Sequence, residues 1–184
     1  MILLYIPRPS GKVTTRSFRI DTEWEKAISE IAKEKGISTS ALIEQICCDY
    51  VLFHQWVEKF DSIIFSSNTI MPIINTLTVD QLEKIAEEAA VQTFRESYLS
   101  RGHVLNFDTV RFQIVDQMAR YANWFTVVEH DNERHYFYIQ HRYGEKWSVF
   151  VEKYLITLVT RFSDLGATSE RVGRNIVLRL AQRD

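Results

Sequence analysis

The segment Val13–Ile20, reading Val-Thr-Thr-Arg-Ser-Phe-Arg-Ile, constrains this chain more than any other. It is rich in β-branched residues, free of Gly and Pro and partly alternating, which predicts a short strand. Phe18 and Ile20 fall on one face of that strand, and Thr15, Ser17 and Arg19 on the other. A lone strand leaves its backbone N–H and C=O groups unpaired, and the sequence that follows offers no hairpin mate. It is helical instead. Thr22 and Glu25 have the spacing of a capping box, and Trp24, Ala27, Ile28, Ile31 and Ala32 form an amphipathic stripe. Gly36 stops this helix after Lys33 and Lys35. Ser38 is the natural N-cap of a second helix from about Thr39, with Leu42, Ile43, Ile46, Cys47, Tyr50 and Val51 on its apolar face. The simplest partner for the strand is the same strand from a second copy, giving an antiparallel two-stranded ribbon over four helices.

The order strand, helix, four-residue turn, helix runs without a gap over Thr14–Val51. Its carrying residues are Ser17-Phe18-Arg19-Ile20, Glu23-Trp24, Ile28, Ile31-Ala32, Gly36-Ile37-Ser38, Ser40, Leu42-Ile43 and Tyr50. In this spacing the segment resembles the ribbon-helix-helix family, the Arc/MetJ-type repressors. The resemblance implies a homodimer whose ribbon lies in the major groove of double-stranded DNA. Base reading then falls to Thr15, Ser17 and Arg19, with Arg19 able to fork onto O6 and N7 of a guanine. Ser38, Thr39 and Ser40 open the second helix, where free N–H groups and the helix dipole suit a phosphate. Arg8 and Lys12 form an arm adding sequence-independent attraction. Arg16 stands where the family has an inward apolar residue, so either the strand begins at Ser17 or Arg16 snorkels to a phosphate. Asp21-Thr22 replaces the family's common Pro-Asp, with Thr22 as the cap.

Charge distribution points the same way. Formal charge over 184 residues is −2, yet Arg8, Lys12, Arg16 and Arg19 give the first twenty residues +4, leaving −6 on the remainder. With 46% hydrophobic and 25% charged residues the chain is ordinary globular protein, not a disordered one. No apolar run approaches the ~18–20 residues that span a bilayer, and Met1–Ile6 lacks the length and basic flank of a signal segment. Cys47 and Cys48 are adjacent, poor geometry for a bridge, which places the chain in a reducing cytoplasm.

The expected organisation is a module over residues 1–54 for DNA binding and dimerisation, followed by an α+β domain over 55–184 that is mostly helical with a small antiparallel sheet. Helix continues to about Phe60, and Asp61–Ser67 reads as a short strand. Asn68–Leu77 contains Pro72. Thr78 and Gln81 form a capping box for a long helix to about Ser100, and a further helix fits Phe107–Tyr121. Trp124–Glu129 and His135–His141 read as a hairpin, Lys146–Leu165 as a helix closed by Gly166, and Asn175–Leu180 as a last strand beside Gly173.

Chemistry is sparse. His135 and His141 stand six apart, which separates them by about 20 Å along a strand, too far for one metal. His130 can face His135 across the turn, giving two ligands at most, and Cys47-Cys48 lacks C-x-x-C spacing. No P-loop, dinucleotide fingerprint, nucleophile elbow or zinc-protease motif is present. The sequence thus predicts no metal, no cofactor and no enzyme activity. The aromatic stretch 121–154 reads first as a packed core and dimer interface. It reads second as an apolar effector pocket with His141 and Tyr143 at its mouth. The leading expectation is a homodimeric, or higher-order, sequence-specific regulator of transcription in the cytoplasm, without membrane attachment. The alternative is a dimerising interaction protein, antitoxin-like partner binding included, with no role on DNA.

Overall fold

The computed structural model describes residues 11–59, 62–131 and 135–183, which fall into two compact units divided between Ser62 and Ile63.

In the N-terminal unit, helix α1 spans Thr22–Glu34 and α2 spans Thr39–Asp49. Asp21 is the N-cap of α1, its side chain accepting from the Glu23 backbone N–H at 2.9 Å. This corrects the assignment of the cap to Thr22, which is already helical: Asp21 stands one residue earlier with a shorter, charged acceptor. Gly36 takes the left-handed conformation, φ +68°, directly after the helix, as a terminating glycine should. Ser38 caps α2, accepting from Ala41 N–H at 3.1 Å. Helix then continues through a widened π-helical turn, Tyr50–His54, into α3, Gln55–Lys59. At the widened turn the Val51 carbonyl accepts from Gln55 Nε2 and, at 3.2 Å, from Trp56 Nε1.

Residues 12–21 form no regular secondary structure and are exposed. The strand expected at Val13–Ile20, and with it the ribbon, is therefore not present in the single chain. The physical reason is the one that made the segment informative: a strand exists only when a second strand takes up its hydrogen bonds.

The C-terminal unit begins irregularly. Residues 62–66 are exposed coil, where a strand was expected over Asp61–Ser67. Helix α4, Ser67–Thr76, follows with Pro72 inside it. Burial of Ile74 offsets the lost backbone bond, and Lys146 Nζ donates to the carbonyls of Asn75, at 2.9 Å, and Leu77 at the helix's C-terminal end. Helix α5, Val79–Leu99, starts with the expected capping box between Thr78 and Gln81. Helix α6, Phe107–Phe112, is capped by Asn106 and runs on as a π-helical stretch, Gln113–Tyr121.

Strands β1 (Thr126–Asp131) and β2 (His135–Gln140) precede helix α7 (Glu145–Phe162). Strands β3 (Leu165–Val172) and β4 (Asn175–Gln182) close the chain. They form one antiparallel sheet in the order β1-β2-β4-β3. β3 was not expected; α7 stops at Phe162, and the residues read as its last turn and stop begin this edge strand. Phe137 and Ile139 of β2 and Ile176, Leu178 and Leu180 of β4 are buried, whereas Tyr138, Gln140 and Arg179 between them are exposed. Period-two alternation thus gives the sheet one covered face. α7 packs against α5 and against β3 and β4. It contributes Val151, Tyr154, Leu155, Leu158 and Val159 to a core that also holds Leu82, Phe94, Tyr98, Ile114 and Met118. Each such side chain contributes about 1.5–3 kcal/mol of burial free energy, so this unit has ample means to hold itself.

Candidate functional site

In the N-terminal unit the expected base readers Thr15, Ser17 and Arg19 lie in the irregular segment, all exposed. Lys12 and Arg16 share that segment and that exposure; Arg8 lies outside the described residues. The three residues of the expected phosphate clamp come together at the start of α2. Ser38 and Ser40 are exposed, while Thr39 is half-buried with its Oγ1 3.2 Å from Ser29 Oγ of α1. That contact pins the two helices to each other at the point where α2 presents its first backbone N–H groups. The Ser38 hydroxyl occupies the Ala41 N–H and the Ser38 carbonyl that of Leu42. The N–H groups of Thr39 and Ser40 come earlier in the helix than any intrahelical acceptor. The positive end of the α2 dipole lies at the same point.

The apolar stripes of this unit are mostly uncovered. Among its described residues only Ala32 and Leu42 are buried apolar side chains, whereas Trp24 is 68% exposed, Phe18 62% and Tyr50 51%; Ile20, Ile31 and Ile46 are exposed as well. Both the cationic segment and the apolar stripes therefore face solvent in one chain.

In the C-terminal unit a second site emerges at one end of the sheet. An open cleft of about 800 Å³ is lined by 123–126, 140–143 and 172–175. Its walls are fixed by a set of bonds. His141 is 6% exposed; its Nε2 lies 2.8 Å from Ser148 Oγ, and Ser148 Oγ donates to the Gly173 carbonyl at 2.9 Å. Because the hydroxyl has one hydrogen and gives it to the carbonyl, His141 Nε2 is the donor in the first bond. The His141 backbone N–H donates to the Arg174 carbonyl at 3.3 Å. Gly173, at φ +61°, and Arg174 form a two-residue loop between Val172 and Asn175, with glycine at the position where such turns favour it. On the other wall Tyr143 Oη donates to the Asn123 carbonyl at 3.2 Å and Trp147 Nε1 to the Trp124 carbonyl at 3.1 Å. Asn123 itself has φ +54°, a conformation that asparagine tolerates.

His141 and Tyr143, expected at the mouth of an effector pocket, do line one cleft. His141 is a buried wall residue rather than a mouth residue. Arg142 and Arg174 escaped sequence reasoning, and only the turn glycine at 173 hinted that residues from the hairpin and from the last strand would meet. Burial holds the His141 imidazole below its ordinary value; the Tyr143 backbone opposes this and the Arg174 charge reinforces it. The other histidines are scattered. His130 stacks on Tyr136, 4.6 Å between ring centres, and His135 Nε2 lies 3.0 Å from Glu129 Oε1. His135 stands opposite Asp131 rather than His130 in the hairpin register. Among the described residues no group of three His, Cys, Asp or Glu side chains is placed to hold a metal ion. No helix among them is long and apolar enough to cross a membrane. Compared with known protein families, with curated proteins and with solved structures, the chain matches none.

Proposed function

We propose that the protein is a homodimeric, sequence-specific DNA-binding regulator of transcription. In this reading residues 13–20 pair with the same residues of a second copy, and the ribbon so formed enters the major groove. The observation that carries it is the uncovered apolar face of the N-terminal unit. Among its described residues two buried apolar side chains, Ala32 and Leu42, are far too few to stabilise a module of this length. Phe18, Ile20, Trp24, Ile46 and Tyr50 are what a second copy would cover. Pairing two strands also leaves Thr15, Ser17 and Arg19 together on the opposite face, beside the cationic Lys12 and Arg16 and the open start of α2.

The test is binding of the full chain to duplex DNA over a range of salt concentrations. A ribbon that neutralises phosphates gives a steep log–log dependence, whereas a dimerising protein with no role on DNA gives none and refutes the proposal. Arg19→Ala is expected to cost about 1–3 kcal/mol on a selected site and to relax preference at one position per half-site. Lys12→Ala with Arg16→Ala is expected to weaken all duplexes alike and flatten the salt dependence. Equal losses on selected and random DNA for Arg19→Ala remove that side chain from base reading.

A further inference from the structure

The cleft at the sheet end combines three features. First, its lining holds two arginines, Arg142 and Arg174, and no Asp or Glu. Elsewhere in the same unit Arg111, Arg161, Arg171 and Arg179 each pair with a glutamate. Among the described residues neither Arg142 nor Arg174 has a carboxylate within 4.0 Å, and Arg174 Nη1 donates to the Arg142 backbone carbonyl at 3.4 Å. Both side chains are exposed at the rim of the cleft, and a guanidinium group gives an anion forked, charge-assisted hydrogen bonds. Second, the cleft offers flat apolar surface beside the charges. Half-buried Trp124 lines it, and the Tyr143 ring lies 5.8 Å from the Arg142 guanidinium carbon. Third, the walls are set in advance by the His141–Ser148–Gly173 chain and by the Tyr143 and Trp147 bonds to the 123–124 backbone. A pre-formed cleft loses little entropy on binding.

We propose that this cleft binds a small organic anion with a flat apolar body, an aromatic carboxylate or aromatic phosphate. Arg142 and Arg174 hold the charged group, and Tyr143 and Trp124 face the ring. The volume, about 800 Å³, admits a ligand of that size with water around it. The inference rests on the C-terminal unit alone and holds whether or not the N-terminal unit binds DNA.

The experiment is a titration of the full chain, followed by the indole N–H signals of its four tryptophans in NMR. The probes are benzoate, phenyl phosphate, inorganic phosphate and the uncharged benzyl alcohol. A saturable shift with benzoate or phenyl phosphate is expected, and whichever binds more tightly identifies the charged group. Benzyl alcohol and inorganic phosphate, each lacking one half of the recognition, are expected to bind roughly tenfold more weakly or worse. Arg174→Ala and Arg142→Ala are each expected to lower affinity by roughly tenfold, with Arg174→Lys retaining part of it. Arg95→Ala, which alters the separate cleft lined by Arg95, Arg161 and Arg183, is expected to change nothing. The proposal is overturned if neither aromatic anion gives a saturable shift up to about 10 mM. It is equally overturned if benzyl alcohol binds as tightly as the anions, or if Arg95→Ala weakens binding as much as Arg174→Ala.

Discussion

At the scale of single residues, His141 shows how one side chain serves both stability and site. It is buried, donates to Ser148, and through that hydroxyl fixes the Gly173–Arg174 turn. Burial chiefly holds its imidazole in the neutral form. In the unfolded chain the same imidazole titrates near the ordinary histidine value of about 6.5. As pH falls through that value the unfolded state binds a proton that the folded state does not, so stability falls with it. The contribution is complete above that value and is progressively lost as pH drops toward the depressed folded-state value. His103, also held below its ordinary value by burial and by the Arg101 charge, acts in the same direction. His141→Gln is therefore expected to cost about 1 kcal/mol at neutral pH through the lost Ser148 hydrogen bond. It is also expected to make the melting temperature less sensitive to pH between about 7.5 and 5.5, since one of the two titrations is gone. Melting curves across that range check both effects. An unchanged pH dependence in the variant means that His141 does not stay neutral in the fold.

Among the elements, what could be read from sequence was whatever its own residues decide locally. The α1–α2 corner is legible because Gly36 and Ser38 act within a turn of themselves. The Thr78–Gln81 box and the first hairpin are legible for the same reason. Three other elements depend on distant partners. β3 is an edge strand whose residues show little clear alternation, and its pairing with β4 rather than its composition makes it a strand. α4 contains a proline that argues against helix, and it exists because Ile74 is buried and Lys146, far along the chain, binds its last carbonyls. Residues 13–20 fail to form a strand for want of a partner. Of the candidate sites, the start of α2 was legible because caps are local, whereas the arginine cleft was not, because it joins a hairpin end to a turn about thirty residues later. The corner offers a direct check. At Gly36 nothing lies within 4 Å of where a Cβ would sit, so Gly36→Ala meets no clash and its cost is the left-handed backbone alone, about 1 kcal/mol. Gly36→Asn, which tolerates that conformation, is expected to recover part of the loss. Helical content and unfolding of the full-length variants measure the difference; indistinguishable variants would mean that the corner does not hold Gly36 left-handed in solution.

For the whole molecule, the contrast in burial between the two units predicts two different kinds of stability. The C-terminal unit buries Leu82, Phe94, Phe137, Leu155, Leu158, Ile176 and Leu178 within one chain. Its unfolding is expected to be independent of protein concentration. The N-terminal unit leaves Trp24, Phe18 and Tyr50 more than half exposed and buries Ala32 and Leu42, so its folding is expected to be coupled to association. For a dimer that folds as it forms, mass action raises the midpoint of unfolding as the protein concentration rises. The full chain is thus expected to unfold in two transitions, and only the lower one should move upward when concentration is raised. Ile46→Glu places a charge within the apolar stripe of α2, where association would bury it without a partner. That substitution is expected to abolish the concentration dependence and lower the first transition, while the second transition stays where it was. The same samples in sedimentation should change from dimer to monomer. If the lower transition does not move with concentration and Ile46→Glu leaves sedimentation unchanged, the N-terminal unit is stable as a single copy. The ribbon, which requires two strands, then has no source for its second strand, and Thr15, Ser17 and Arg19 would have no sheet on which to read a groove.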